Sequence, residues 1–191
     1  MFKVIAVCTS EKKGTAKQMV EEANLIEEFG IEGDAHAGKW HRQVSLLGLE
    51  KIDEFNAKGG GVNFGDFGEN LVISGIELTK LPIGQRFKIG ETVLELTQIG
   101  KQCHDKCEIF YRVGQCIMPT NGVFTRVLKG GKVKVGDEVI LLGEDNGLKN
   151  NADDMAKLLD TINYEILCMI GRRVPRVYIK DGKKLNVRNY L

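Results

Sequence analysis

The chain has 191 residues, and its 27 basic side chains nearly cancel 26 acidic ones to leave a net charge of +1. That length buries a real core in one ordinary domain with room for an appendage, and the balanced charge gives no field for nonspecific binding to nucleic acid or an anionic membrane. Five cysteines, an odd number spread over Cys8, Cys103, Cys107, Cys116 and Cys168, do not form the framework of a secreted disulfide protein. A soluble, cytoplasmic chain is expected, because the apolar start at residues 1–8 is too short to span a bilayer.

Gly is abundant at 23 residues and Pro scarce at three, and the glycines punctuate short runs of Val, Ile, Leu and Phe. That is the pattern of short strands joined by tight turns. Phe2 to Cys8 reads as a strand. Thr15 to Phe29 is ambiguous: Ala16, Met19, Val20, Ala23 and Ile26 fit a helical face, while the later part fits an extended segment equally well. Gln43 to Leu47 predicts a strand running into a helix through Leu49, Ile52 and Phe55, stopped at Gly59-Gly60-Gly61.

Asn70 to Ile73 predicts another strand, and Arg86 to Ile89 with Thr92 to Thr97 a hairpin about Gly90-Glu91. A second hairpin is expected from Phe124–Leu128 and Val133–Val135 about Lys129–Lys132, followed by a strand at Glu138–Leu142. So many short strands at regular spacing, with few helices, argue for a closed or partly closed barrel. After Leu142 a polar stretch, Gly143-Glu144-Asp145-Asn146-Gly147, marks a boundary between residues 1–143 and an appendage at 144–191. The appendage reads as a helix, capped near Asn151 and continuing through Met155, Leu158, Leu159, Ile162, Ile166, Leu167 and Ile170 to Gly171. A hairpin from Val177 to Val187 about Asp181-Gly182 completes it.

Cys103 carries the strongest chemical signal. It lies in Gln98-Ile99-Gly100-Lys101-Gln102-Cys103-His104-Asp105-Lys106-Cys107, just beyond a strand, beside an imidazole and ammonium groups that favour its thiolate. The thiolate is the form that reacts and binds metal; the bland alternative is a small buried hydrophobe. For Cys8 and Cys168 that core reading is preferred. A second cluster is the loop Gly30 to Gln43, with two histidines, Asp34, Arg42 and three glycines. Asp34 is suited to orient His36, and Arg42 to grip a phosphate or carboxylate; the alternative is a tight turn whose polar groups cap backbone amides. A third is Phe64 to Leu71, where an amide tethering two loops explains Asn70 without a ligand.

The segments Gly30 to Gly38, Arg42-Gln43-Val44-Ser45-Leu46-Leu47, Phe67-Gly68-Glu69-Asn70-Leu71, Gly84 to Gly90 and Glu95 to Cys103 together resemble, in order, the successive motifs of a MOSC domain, the C-terminal domain of molybdenum cofactor sulfurases. The likeness runs over residues 1–143. It implies a mainly β fold with some α, a MOSC-type β-barrel of the pyruvate-kinase-barrel-like kind, with the C-terminal helix and hairpin as an appendage. It also implies that Cys103 lies at a pocket, where it carries sulfur as a persulfide or ligates the metal of a molybdenum cofactor. Thiolate chemistry suits both roles. By the same resemblance Asp34, His36, Asn70, Arg42 and Lys101 line or shape the pocket, the last two as partners for a pterin phosphate.

Many relatives have a proline and an arginine before the cysteine, where this chain reads Ile99-Gly100-Lys101-Gln102, so the anion contact there falls to Lys101. The chain resembles the short bacterial form of the domain. Pyridoxal phosphate is associated with the domain, but no fold to hold it is legible here, and a persulfide would have to come from a cysteine desulfurase, with a molybdoenzyme as a possible recipient. A rival reading is a structural zinc site of Cys103, His104, Cys107 and Cys116, whose residue types qualify but whose spacing is irregular. A thiol–disulfide switch using Cys107 or Cys116 and a non-catalytic cofactor carrier or partner-docking module also stay open.

Overall fold

The computed structural model describes residues 2–102, 110–111, 114–142, 156, 160–169, 176–180 and 183–188, with residue 169 and the last two stretches described by their backbone path. In chain order the first unit holds β1 (Phe2–Thr9), β2 (Gln18–Val20), β3 (Glu22–Ile26), β4 (Gly30–Ile31), β5 (Val44–Gly48), α1 (Leu49–Ala57) and β6 (Leu71–Ser74). A 3-10 turn (Leu78–Lys80) precedes β7 (Arg86–Ile89) and β8 (Thr92–Ile99), and α2 (Met118–Asn121) leads into β9 (Val123–Lys129), β10 (Gly131–Lys134) and β11 (Glu138–Leu142).

The principal sheet runs β11-β7-β8-β9-β5-β6-β1-β2, and β11 also pairs with β1, so seven strands close into a barrel from which β2 projects. Closure is made at the start of β1, where Phe2 faces Val139 and Lys3 faces Glu138. Within the barrel only β5 and β6 run parallel, and a parallel pair needs a crossover. Helix α1 supplies it.

This crossover explains why β5 is buried along its whole length. Leu46 belongs to the interior cluster with Val4, Phe87, Ile89, Leu94, Leu96 and Val127. Leu47 faces the other way and packs with Ile52 and Phe55 of α1, together with Val72, Phe67 and Met118. Burial of Ile52 and Phe55, 1% and 4% exposed, contributes about 1.5–3 kcal/mol each. The helix stops as its sequence predicts, with Gly59 at φ +89 just past it.

Three expectations are corrected. The ambiguous stretch Thr15–Phe29 forms no helix but holds β2 and β3 followed by a turn at 27–29: β3 alternates exposed and buried residues, sending Ala23 and Leu25 into the interior cluster. The expected second hairpin does not form, since β10 leaves β9 and pairs with β3 in a separate sheet of order β10-β3-β4. The glycine pair at this junction takes the chain away: Gly131, the first residue of β10, adopts φ +143, and Glu28 N–H bonds Val127 O at 2.9 Å, occupying β9 near its end.

The third correction lies in the C-terminal unit. By its contacts the chain divides into Met1–Leu148 and Lys149–Leu191, and the second unit contains α3 (Asn163–Met169) and the hairpin β12 (Arg176–Lys180) and β13 (Lys183–Arg188). The expected continuous helix is interrupted, because Asp160 adopts φ +51, a left-handed conformation that a right-handed helix does not accommodate. A new helix then starts at Asn163, with the Thr161 hydroxyl donating to the Glu165 carboxylate. Its faces are set afresh: Ile166 is buried while Ile162 and Leu167 are exposed. Cys168, expected in the core, is exposed for the same reason. Met155, Leu158, Leu159 and Ile170 lie outside the described residues, as does the stretch 143–150.

Candidate functional site

Three loops meet around the carboxylate of Asp34: the β1–β2 connection, the loop between β4 and β5, and the segment leading into β6. Asp34 sits at a turn whose amides bond backward, Asp34 N–H to Ile31 O at 3.1 Å and Ala37 N–H to Asp34 O at 3.0 Å. Its side chain is 1% exposed, and the carboxylate collects four donors. Lys17 Nζ lies 2.5 Å from Oδ2, joined there by Ser10 N–H at 3.1 Å and Asn70 Nδ2 at 3.2 Å. His36 N–H donates to Oδ1 at 2.9 Å, so Asp34 does orient the loop that carries His36.

Burial alone would raise the Asp34 carboxyl, but the Lys17 ammonium and the His36 backbone N–H favour the carboxylate and hold the group well below the usual carboxylate range. Burial pulls the Lys17 ammonium below its ordinary value, against the opposing pull of Asp34. The Lys17 side chain is completely enclosed.

Asn70 stands behind Asp34. Its Nδ2 also donates to Cys8 O at 3.1 Å, and its Oδ1 accepts from Ser45 N–H at 3.1 Å and Ser45 Oγ at 2.9 Å. The amide thus ties β1, β5 and the Asp34 loop together, the tether that its sequence position suggests. Beside it Glu69 is fully buried. Its Oε1 accepts from Gly65 N–H at 2.7 Å, Oε2 has no partner, and burial pushes the carboxyl up to about 7. Gly65 has a separate duty: Lys17 N–H bonds its carbonyl at 2.9 Å, and a Cβ there would lie 2.3 Å from Lys17 O. The Cys8 thiol is enclosed and pushed up to about 12, mainly by burial and also by Glu69. Such a thiol is inert, in keeping with the core reading of Cys8.

Arg42 is held differently. Its guanidinium carbon lies 4.7 Å from the Trp40 ring centroid and 5.7 Å from that of Phe124, distances at which a cation is attracted to a ring face. Its Nε is buried without a hydrogen-bond partner. Trp40 is fixed by an Nε1–H bond to His36 O at 2.9 Å. The neighbouring His41 donates from Nε2 to Gln98 Oε1 at 2.8 Å, and the Thr97 hydroxyl donates to His41 O. The loop bearing His36 and Arg42 is therefore bound to the end of β8, the strand that leads toward Cys103. Lys101 is half-buried, and its N–H bonds Pro119 O at 3.1 Å.

Cys103, His104 and Cys107 lie outside the described residues, and Cys116 is half-buried. Among the described residues no group of three or more His, Cys, Asp and Glu side chains is placed to hold a metal, and no helix is long and apolar enough to cross a membrane. Lys17, Trp40 and Phe124 are the participants that sequence reasoning missed. Phe124 stands near Arg42 only once β9 has paired with β5, Trp40 lies two residues from Arg42 without a charge to mark it, and Lys17 is one lysine among several in a polar stretch.

In the comparison with solved structures, the chain matches the YuaD protein of Bacillus subtilis at TM-score 0.60 and 21% identity, over 73% of this chain and 94% of that one. It matches YiiM from Escherichia coli at TM-score 0.55 and 19% identity, over 84% and 86%. At these identities the likeness is one of fold. Among curated proteins, an alanine racemase of Clostridium novyi is 64% identical over 61 residues, which are 32% of this chain and 16% of the racemase. The chain therefore corresponds to a small fraction of that enzyme. The MOSC domain family matches residues 33–140, which take in Asp34, His36, Arg42, Asn70, Lys101 and Cys103. With more than half of its length matched in that way, and with a closed barrel beneath, the chain belongs to the MOSC domain family.

Proposed function

We propose that this MOSC domain binds an anionic molybdenum or tungsten cofactor and carries sulfur for it as a persulfide on Cys103. The observation that carries the reading is the state of Arg42. Its guanidinium lies near two aromatic rings, with a buried Nε lacking any partner, and no carboxylate pairs with it among the described residues. A guanidinium held on aromatic faces, with no carboxylate partner among the described residues, suits a phosphate or other oxyanion, which it engages through parallel hydrogen bonds. The donor set thus fits the phosphate of a pterin cofactor, with Lys101 as a second cation, and the bound group would supply the metal to which a thiolate is a soft ligand. In this reading Asp34 and Asn70 hold the loop in place, and His36 faces the guest.

Sulfur loading balances without an added oxidant. The Cys103 thiolate attacks the outer sulfur of a donor persulfide, such as that of a cysteine desulfurase; the new S–S bond forms as the donor's breaks, and the donor leaves as thiolate. The persulfide then awaits a recipient, for which a molybdoenzyme is the natural class.

Protein purified from an anaerobic host should contain molybdenum or tungsten with pterin, and incubation with a cysteine desulfurase and cysteine should add one sulfur to the mass of the peptide containing Cys103. Cys103→Ser should abolish that increment with the fold intact by circular dichroism. Arg42→Ala should weaken binding of molybdate or inorganic phosphate by about 1.5–3 kcal/mol, roughly tenfold or more. A preparation free of both metals and of pterin, whose Cys103 takes no sulfur and which holds stoichiometric zinc, would refute the reading in favour of a structural zinc module.

A further inference from the structure

The protonation of His36 is set by the chemistry of its buried neighbour. An ammonium has three N–H donors and no acceptor. Lys17 Nζ directs them to Asp34 Oδ2 at 2.5 Å, His36 Nδ1 at 3.2 Å and Ser10 Oγ at 3.5 Å. His36 Nδ1 must therefore present its lone pair, and a neutral imidazole that accepts at Nδ1 carries its proton on Nε2.

One competing contact exists. Nδ1 is 3.5 Å from Asp34 Oδ1, an arrangement that would suit a proton on Nδ1. That oxygen already receives the His36 amide at 2.9 Å, and a proton on Nδ1 would aim an N–H at an ammonium. The Lys17 contact is the shorter of the two and has only one chemically permitted direction.

We propose that Lys17 is a positioning residue that fixes His36 as the Nε2–H tautomer, so that His36 meets the pocket's guest as a hydrogen-bond donor. The His36 side chain is 34% exposed while that of Lys17 is not exposed at all, so the Nδ1 edge faces inward and the Nε2 edge faces out. With one nitrogen engaged by Lys17 and the other protonated, neither is available to ligate a metal or to abstract a proton. The class of ligand selected is one that offers an acceptor outward of the loop: an oxyanion, a phosphate oxygen or a metal-bound oxo or sulfido group. The recipient of the hydrogen bond rests on the anion pocket proposed above; the tautomer does not.

The test is a long-range proton–nitrogen correlation spectrum of the full chain labelled with 15N-histidine, at a pH near 7.5. The three histidines are His36, His41 and His104, and His36→Gln identifies the signal of interest. The expected wild-type pattern is a pyridine-type shift at Nδ1 and a pyrrole-type shift at Nε2. In Lys17→Met the nearest charged group to Nδ1 is Asp34 Oδ1, and the ring should move to the Nδ1–H or doubly protonated form. A wild-type ring protonated at Nδ1 would overturn the proposal, as would a folded Lys17→Met protein whose His36 pattern is unchanged. If Lys17→Met does not fold, a nuclear Overhauser contact between the Lys17 ammonium protons and His36 Hε1 in the wild type replaces it, and absence of that contact overturns the role of Lys17. Titrating molybdate or inorganic phosphate into the wild-type sample separates this inference from the function proposed above. Anion binding with the wrong tautomer defeats Lys17 alone, whereas the expected tautomer with no anion binding retains Lys17 and removes the pocket.

Discussion

Replacing Lys17 by methionine keeps the length of the buried side chain but leaves Asp34 ionised in an enclosed site without its counterion, a change expected to cost about 3–5 kcal/mol. Urea denaturation should show that loss as a lower midpoint with an unchanged slope. Glu69 sets a different pH dependence. Its folded value, about 7, is raised above the ordinary carboxyl value of 4.5, so its contribution is fully present below about 4.5 and is lost as the pH rises through about 7, up to about 3 kcal/mol in all. Asp34 works in the opposite sense: its value, lowered from the ordinary 3.8, gives a contribution present above about 3.8 and lost in stronger acid. Glu69→Gln should flatten the decline in stability between about pH 4.5 and about pH 7 while leaving acid denaturation in place. A slope unchanged in that variant would remove Glu69 as its source. At this scale the grouping of Asp34, His36 and Asn70 was suggested by the family resemblance, because a glycine-flanked Asp and a pre-strand Asn serve turns and tethers equally well. Lys17 was not, since it is one of three lysines in residues 12–17 and nothing in their spacing singles it out.

Among the connections, the segment from Phe64 to Asn70 has little freedom to change. Gly65 adopts φ +88, and a methyl group there would meet the Lys17 carbonyl. Strain of the left-handed backbone alone costs about 1–3 kcal/mol, and the clash adds displacement of the β1–β2 connection. Gly65→Ala should therefore destabilise by about 2 kcal/mol or more and raise amide exchange at Lys17, whose N–H bonds the Gly65 carbonyl. An alanine variant as stable as wild type would show that the loop relaxes around the new methyl. Strands with alternating burial, such as β7 and β8, were legible from sequence, and so was α1 with its glycine stop. The pairing of β10 was not, because Lys129-Gly130-Gly131-Lys132 has the composition of a hairpin turn whether or not the following strand folds back on its predecessor. The break at Asp160 was hidden for a related reason: the apolar spacing continues across it, and only the backbone angle reveals that two segments share one pattern.

For the molecule as a whole, the separation of contacts at Leu148 makes the barrel the expected unit of folding. A chain of residues 1–148 should retain the far-ultraviolet spectrum of a β protein and a single cooperative unfolding transition; loss of cooperativity would show that the later residues are needed to complete the core. The family was legible because its motifs recur in order along the chain, an arrangement more specific than any one of them. The barrel closes where Phe2 meets Val139 and Lys3 meets Glu138, so β1 waits for β11, the last barrel strand in chain order, before that edge is covered. During synthesis the growing sheet has raw edges on both sides until β11 has cleared the exit tunnel, a state open to pairing with other chains. Closure over so long a sequence separation is also intrinsically slow, which makes a nascent chain stalled before Glu138 a natural client for chaperones.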